Sequence, residues 1–119
     1  MRIIIAGSRT ITDYDKVDQS MLDAIGSNFV GLDIEVILCG CAKGVDSLGE
    51  QWAQRHGIQV EYYPAEWDKY GKSAGYRRNV RMAEHADALI LVWDGKSKGS
   101  KHMLNIAKEQ NLKIFEKII

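Results

Sequence analysis

Arg2 to Ala6 is an apolar, β-branched run in which polar residues do not alternate with apolar ones. A strand of this kind has no wet face, so it belongs inside a parallel sheet covered by helices on both sides. Similar runs lie within Ile34 to Leu38 and over Ala88 to Val92. Between them, apolar residues return at helical spacing. Val17, Met21, Ile25 and Phe29 mark one face of a helix that Thr12 and Asp15 are placed to cap and that is predicted to end near Asn28. Val45, Leu48 and Trp52 mark a second helix, closed at His56-Gly57. A third strand over Gln59 to Tyr63 stops at Pro64, and Ala65 to Gly75 reads as an irregular segment. A third helix follows over Ala74 to His85, then a fourth through Met103, Leu104, Ile106 and Ala107, ended by Asn111. A last strand is predicted over Lys113 to Phe115, with Ile118 and Ile119 extending the apolar cover. Five strands alternating with four helices, joined by short right-handed crossovers, give one α/β domain over residues 1–119. It is a single three-layer, Rossmann-like unit with a mostly parallel five-stranded sheet.

Sixteen basic and sixteen acidic side chains leave no net charge, hence no global field to draw in a nucleic acid; only a local basic patch remains open to such a partner. No cleavable signal pattern and no apolar stretch of membrane-spanning length is present, so a cytoplasmic protein without a membrane partner is expected. Cys39 and Cys41 are too close in sequence for an ordinary disulfide and are expected to be reduced, small apolar fillers beside a loop. His56, His85 and His102 stand in no familiar metal-ligand spacing with them, so neither a metal nor a cofactor is expected. A homo-oligomer stays open.

Chemistry gathers in the loops that follow the strands. Ile37 to Asp46 reads as strand, loop and helix, with Gly40 and Gly44 bending the loop. Such a corner suits an anion, because a helix starting there points free N–H groups into the loop. Tight turns also use glycine for steric reasons alone, and taken by itself this loop favours that account. It has neither a dinucleotide fingerprint nor a P-loop ending. In a parallel sheet, however, Gly7-Ser8-Arg9, the Gly40 to Asp46 loop, the Trp67 to Arg78 segment and Asp94 to Ser100 all share the carboxyl edge, where such folds bind ligands. Arg77, Arg78 and Arg81 crowd the first half of the third helix, where its dipole disfavours cations unless an anion is near. Glycine turns, arginines and the rings of Trp67, Tyr70 and Trp93 on one edge favour a small anionic ligand carrying a ring, that is, a nucleotide. Trp67 or Trp93 would stack on its base or pack the sheet edge.

Taken in order, Gly7-Ser8-Arg9, Gly40-Cys41-Ala42-Lys43-Gly44-Val45-Asp46, Trp52-Ala53, Pro64-Ala65-Glu66-Trp67, Gly71-Lys72-Ser73-Ala74-Gly75, Arg78-Asn79-Val80-Arg81-Met82, Ala86-Asp87 and Asp94 to Ser100 resemble the YspA-like family of the SLOG superfamily. That family is common in bacteria and their phages. The resemblance implies a Rossmann-like domain binding nucleotides or nucleotide-derived ligands. The superfamily also holds the Lonely Guy phosphoribohydrolases and DprA. Gly99-Ser100 resembles the hydrolases' Gly-Thr phosphate turn, and Arg78 with Met82 resembles their Arg-Lys-x-x-Met helix, with Asn79 in place of the lysine. Lys101, His102 and Met103 occupy the segment where those enzymes carry a catalytic glutamate, and Cys41 stands where relatives often have glycine.

The leading expectation is a nucleotide-binding module, a sensor or sequestering protein, contacting its ligand through Gly7, Ser8, Arg9, Gly40, Ala42, Gly44, Asp46, Trp67, Arg78, Asn79, Asp94, Gly95, Ser97, Gly99 and Ser100. Gly99 and Ser100 would offer N–H groups to phosphate, and Arg78 is expected to serve binding rather than folding. An enzyme acting on a nucleotide N-glycosidic or phosphate bond is the alternative, with Asp46 or Asp94 as the candidate catalytic carboxylate; no complete catalytic constellation is recognisable. A third alternative, a DprA-like nucleic-acid binder, needs Lys69, Lys72, Arg77, Arg78 and Arg81 to form a continuous exposed stripe.

Overall fold

The structure is a computed structural model, and it describes residues 1–27 and 33–119. The elements run β1 (Arg2–Gly7), α1 (Tyr14–Gly26), β2 (Val36–Cys39), α2 (Val45–Arg55), β3 (Gln59–Tyr62), α3 (Trp67–Tyr70) with a 3-10 turn (Gly71–Ser73), α4 (Ala74–Glu84), β4 (Ala88–Trp93), α5 (Lys98–Glu109) and β5 (Lys113–Ile118). All five strands are parallel, in the order β3-β2-β1-β4-β5.

The absence of alternation in the strands now has its reason. Ile3, Ile5, Ile37, Ile90 and Val92 face one way, onto Val17 and Met21 of α1 and Leu48 and Trp52 of α2. Their neighbours Ile4, Leu38, Leu89 and Leu91 face the other way, onto Met82 and Ala83 of α4 and Met103 and Leu104 of α5. Both faces are dry, so both sets must be apolar, each large side chain contributing roughly 1.5–3 kcal/mol on burial. The strand order places the site. From β1 the chain goes to β2 on one side, and after β3 it returns to β4 on the other, so the loops following β1 and β4 diverge and leave a crevice at the carboxyl edge.

Several boundaries differ from the sequence reading. Helix α1 is capped by Asp13, not Thr12: the Asp13 carboxylate accepts the N–H of Asp15 at 3.0 Å. Ile25 is exposed, because the buried stripe of α1 runs through Val17, Ser20, Met21 and Ala24. The predicted helix end near Asn28 and the place of Phe29 lie outside the described residues. Strand β2 starts two residues later than predicted and continues to Cys39. The segment read as irregular holds α3 and the 3-10 turn, which run directly into α4. Helix α5 begins at Lys98, earlier than its apolar residues suggest, and β5 continues to Ile118, where Ile118 and Ile119 are exposed rather than part of the cover. Gly57 and Asn111 do adopt the left-handed conformation after α2 and α5, with φ of 66° and 57°.

Candidate functional site

Ser8 is the hub of the carboxyl edge. It is buried; its N–H donates to the Val92 carbonyl at 3.2 Å, its Oγ accepts the N–H of Asp94 at 3.0 Å, and its carbonyl accepts the N–H of Val45 at 3.3 Å. One residue after β1 thereby ties down the loop after β4 and the start of α2. Gly44 makes this approach possible: its φ is 73°, and a Cβ there would stand 2.3 Å from the Ser8 carbonyl oxygen. A Cβ on Gly40 would stand 2.7 Å from Asp46 Oδ2 and 2.8 Å from Arg78 Nη1. The glycines of this loop therefore make room for protein atoms. Cys41 holds a φ of 65° without being glycine, a backbone conformation that favours glycine. Its side chain is exposed, contrary to the expected apolar filler, whereas Cys39 is buried and burial pushes its thiol up to about 12.

The open helix start is that of α5. Asp94 Oδ1 accepts the N–H groups of Lys96 and Ser97 at 2.8 and 2.9 Å, folding the turn. The Ser97 hydroxyl donates to Ser100 Oγ at 2.6 Å instead of capping the helix. The N–H groups of Lys98, Gly99 and Ser100 belong to the first turn and have no intrahelical acceptor, and nothing lies within 4 Å of where a Gly99 Cβ would stand. Beside that turn is a cavity of about 310 Å³ bordered by Ser8, Arg9, Asp46, Arg78, Asn79 and Ser100.

Helix α4 supplies the far wall. Arg78 donates through Nη1 to the Gly40 carbonyl and through Nε to Asn79 Oδ1 at 3.0 Å. Asn79 is buried and points its Nδ2 at the Gly99 carbonyl, 3.3 Å away, and at His102 Nδ1, 3.2 Å away, so that imidazole nitrogen is the unprotonated one. Burial lowers the His102 pKa, in keeping with a neutral ring. The crowded arginines divide here. Arg78 enters the site, while Arg77 lies over the Tyr70 ring at 4.4 Å and Arg81 over Tyr63 at 5.7 Å.

The two candidate carboxylates also part company. Asp46 is 5 % exposed, and its Oδ2 accepts the N–H of Ala42 at 3.2 Å. Burial raises its pKa against the downward pull of Arg78, the Ala42 N–H and Arg9. Asp94 is exposed, and the N–H groups of Lys96 and Ser97 hold its pKa low.

Of the residues expected from sequence, Gly7, Ser8, Arg9, Ala42, Asp46, Arg78, Asn79, Asp94, Ser97, Gly99 and Ser100 all border this cavity. Gly40 and Trp67 border a second one next to it. Gly44 and Gly95 border neither, and Gly95 instead shapes its turn with a φ of 79°. Trp93 is no stacking platform: it is 4 % exposed among the residues facing α4 and α5, and its Nε1 donates to Glu116 Oε2 at 2.8 Å. Thr10 and Lys98 border the cavity without having been singled out, although both adjoin chosen residues. His102, weighed from sequence as a metal ligand and as part of the segment that replaces a glutamate, instead contacts Asn79 at the site.

A family model described as the YspA, cpYpsA-related SLOG family covers residues 1–70. The chain belongs to this family. Gene 61 protein of Mycobacterium phage D29 is 30% identical over 120 residues, covering 96% of this chain and 94% of the phage protein. DNA processing protein A (DprA) from Streptococcus pneumoniae shares the fold, with a TM-score of 0.71 at 19% identity over 97% of this chain. The chain spans 49% of that protein. No helix among the described residues is long and apolar enough to cross a membrane.

Proposed function

We propose that this SLOG-family chain is a cytoplasmic nucleotide-binding module, a sensor or sequestering protein, whose ligand sits at the carboxyl edge between β1 and β4. One observation carries the reading: Arg9, Arg78 and Asn79 meet the open first turn of α5 at the switch point of the sheet. A phosphate would take the N–H groups of Gly99 and Ser100, where the helix dipole favours it. Arg78 has Nη1 and Nε engaged, which fixes the plane of its guanidinium and leaves Nη2 for a charge-assisted bond.

Turnover of a nucleotide is a second reading, favoured by Asp46, a buried carboxylate of raised pKa at the cavity wall. DNA processing belongs to the name of the structural neighbour; of the five residues a nucleic-acid stripe would use, Lys69, Lys72, Arg77 and Arg81 are exposed, while Arg78 turns into the cleft. Calorimetry across mono-, di- and cyclic nucleotides and ADP-ribose, with chromatography of the mixtures afterwards, tests the proposal. Binding without conversion is expected. Absence of binding, or a bound nucleotide located away from Gly99 and Ser100, refutes it.

A further inference from the structure

Three hollows meet at the carboxyl edge. The first, about 310 Å³, lies against the start of α5. The second, about 450 Å³, lies against Pro64, Ala65 and Trp67. The third, about 190 Å³, runs past Lys72 and Tyr76. Arg9 and Arg78 are the two residues common to all three. Among the described residues no acid borders the second or third hollow, while Lys43 and Lys72 add positive charge there. The one carboxylate between the arginines, Asp46, is buried and already accepts the Ala42 N–H.

We propose that the cleft takes a dinucleotide whose two nucleosides are joined through a diphosphate, the diphosphate lying between Arg9 and Arg78, with one half in each large hollow. The proposal rests on the nucleotide reading above and names the ligand class. A single phosphate at the start of α5 would leave the Trp67 hollow empty and one arginine without an anion. Two linked phosphates match two guanidinium groups that border the same hollows, with Arg78 contributing its free Nη2. Both larger hollows fall within the usual range of ligand pockets, roughly 300–1,000 Å³. Trp67 is 50 % exposed at the edge of its hollow, and a flat ring so placed suits a stacked base.

Trp67 also supplies the readout, because Trp52 and Trp93 are only 3 % and 4 % exposed. The probes are AMP, ADP, NAD⁺ and diadenosine diphosphate, followed by calorimetry and by tryptophan fluorescence. Both dinucleotides should bind at least about ten-fold more tightly than AMP or ADP and quench the fluorescence, which AMP leaves unchanged. Trp67→Ala should remove that ten-fold advantage and leave AMP affinity as it was, while Trp67→Phe, which keeps a stacking face, retains most of it. AMP binding as tightly as the dinucleotides, or Trp67→Ala weakening all four ligands alike, overturns the two-hollow assignment and leaves the nucleotide reading standing. Failure of all four to bind overturns both.

Discussion

Replacing Arg78 by alanine reaches several parts of the site at once. Arg78 is half-buried, donates to the Gly40 carbonyl and to Asn79 Oδ1, and exerts the strongest pull holding the Asp46 pKa down against burial. The expectation from sequence, that it serves binding rather than folding, is therefore revised in one respect: Arg78 also holds protein to protein, through Gly40 and Asn79. Two part-buried hydrogen bonds from a charged donor to neutral acceptors, the one between neighbours Arg78 and Asn79 discounted because it survives in part on unfolding, amount to roughly 2–3 kcal/mol. For a chain of 119 residues, with an unfolding entropy of roughly 2.1 cal/mol/K per residue, Tm should fall by about 8–12 °C. The deficit should also depend on pH. Arg78 attracts Asp46 only while Asp46 is ionised, and the Asp46 pKa is raised in the folded state. As pH falls through that raised value the carboxyl gains its proton, the attraction is lost from the parent protein, and the gap to Arg78→Ala narrows. Arg78→Lys keeps the charge without the planar fork, so it should restore the pH-dependent part and little of the rest. Scanning calorimetry between pH 4 and 8 measures both components. A Tm within about 2 °C of the parent, or a deficit that stays constant across that range, refutes this account of Arg78.

Gly44→Ala should cost about 3 kcal/mol or more in denaturant unfolding, since it adds a backbone overlap at 2.3 Å to the roughly 1–2 kcal/mol of a left-handed alanine. Gly95→Ala, with φ of 79° but its nearest neighbour at 3.6 Å, should show only the latter; equal costs would refute the packing argument. A thiol reagent should modify Cys41 rapidly in the native protein and Cys39 only on unfolding, so two fast-reacting thiols would contradict the burial of Cys39. Free adenine should not appear from AMP, because Lys101, His102 and Met103 provide no carboxylate; release proportional to protein and surviving repurification would overturn this.

The layers were legible because β1 and β4 are dry on both faces, so burial wrote itself into every residue of each run. Helix ends were legible at Gly57 and Asn111 because a left-handed backbone selects those residue types. Helix α3 was not, since four residues are too few to show a period, and its Trp67 and Tyr70 point outward. Strand β5 was read short because it is an edge strand whose end is exposed. At the site, the loops could be assigned to one edge from topology alone, but their division of labour could not. Gly44 and Gly99 look alike in sequence, yet the first is packed against Ser8 and Arg9 and the second faces open space. Trp67 and Trp93 both follow strands as read from the sequence, but Trp93 is the last residue of β4, and only the tertiary arrangement buries one and exposes the other.

The aspartates carry the same lesson into chemistry. Asp46 and Asp94 each stand beside a glycine loop at the carboxyl edge, so position along the chain assigns them equal standing. Asp94 is a turn former: two backbone N–H groups hold one of its oxygens and lower its pKa, so accepting a proton would weaken the turn that starts α5. Asp46 is enclosed, accepts backbone N–H bonds from Ala42 and Gly7, and still has a raised pKa beside Arg78 and Arg9 because burial outweighs them. An anion arriving at Arg9 and Arg78 draws on the same positive charge that steadies ionised Asp46, which raises the Asp46 pKa further. On the proposed binding mode, occupancy and proton uptake by Asp46 would favour each other through the arginine pair. In the proposed turnover reading an acid–base role would fall to Asp46, since Asp94 holds the turn in place.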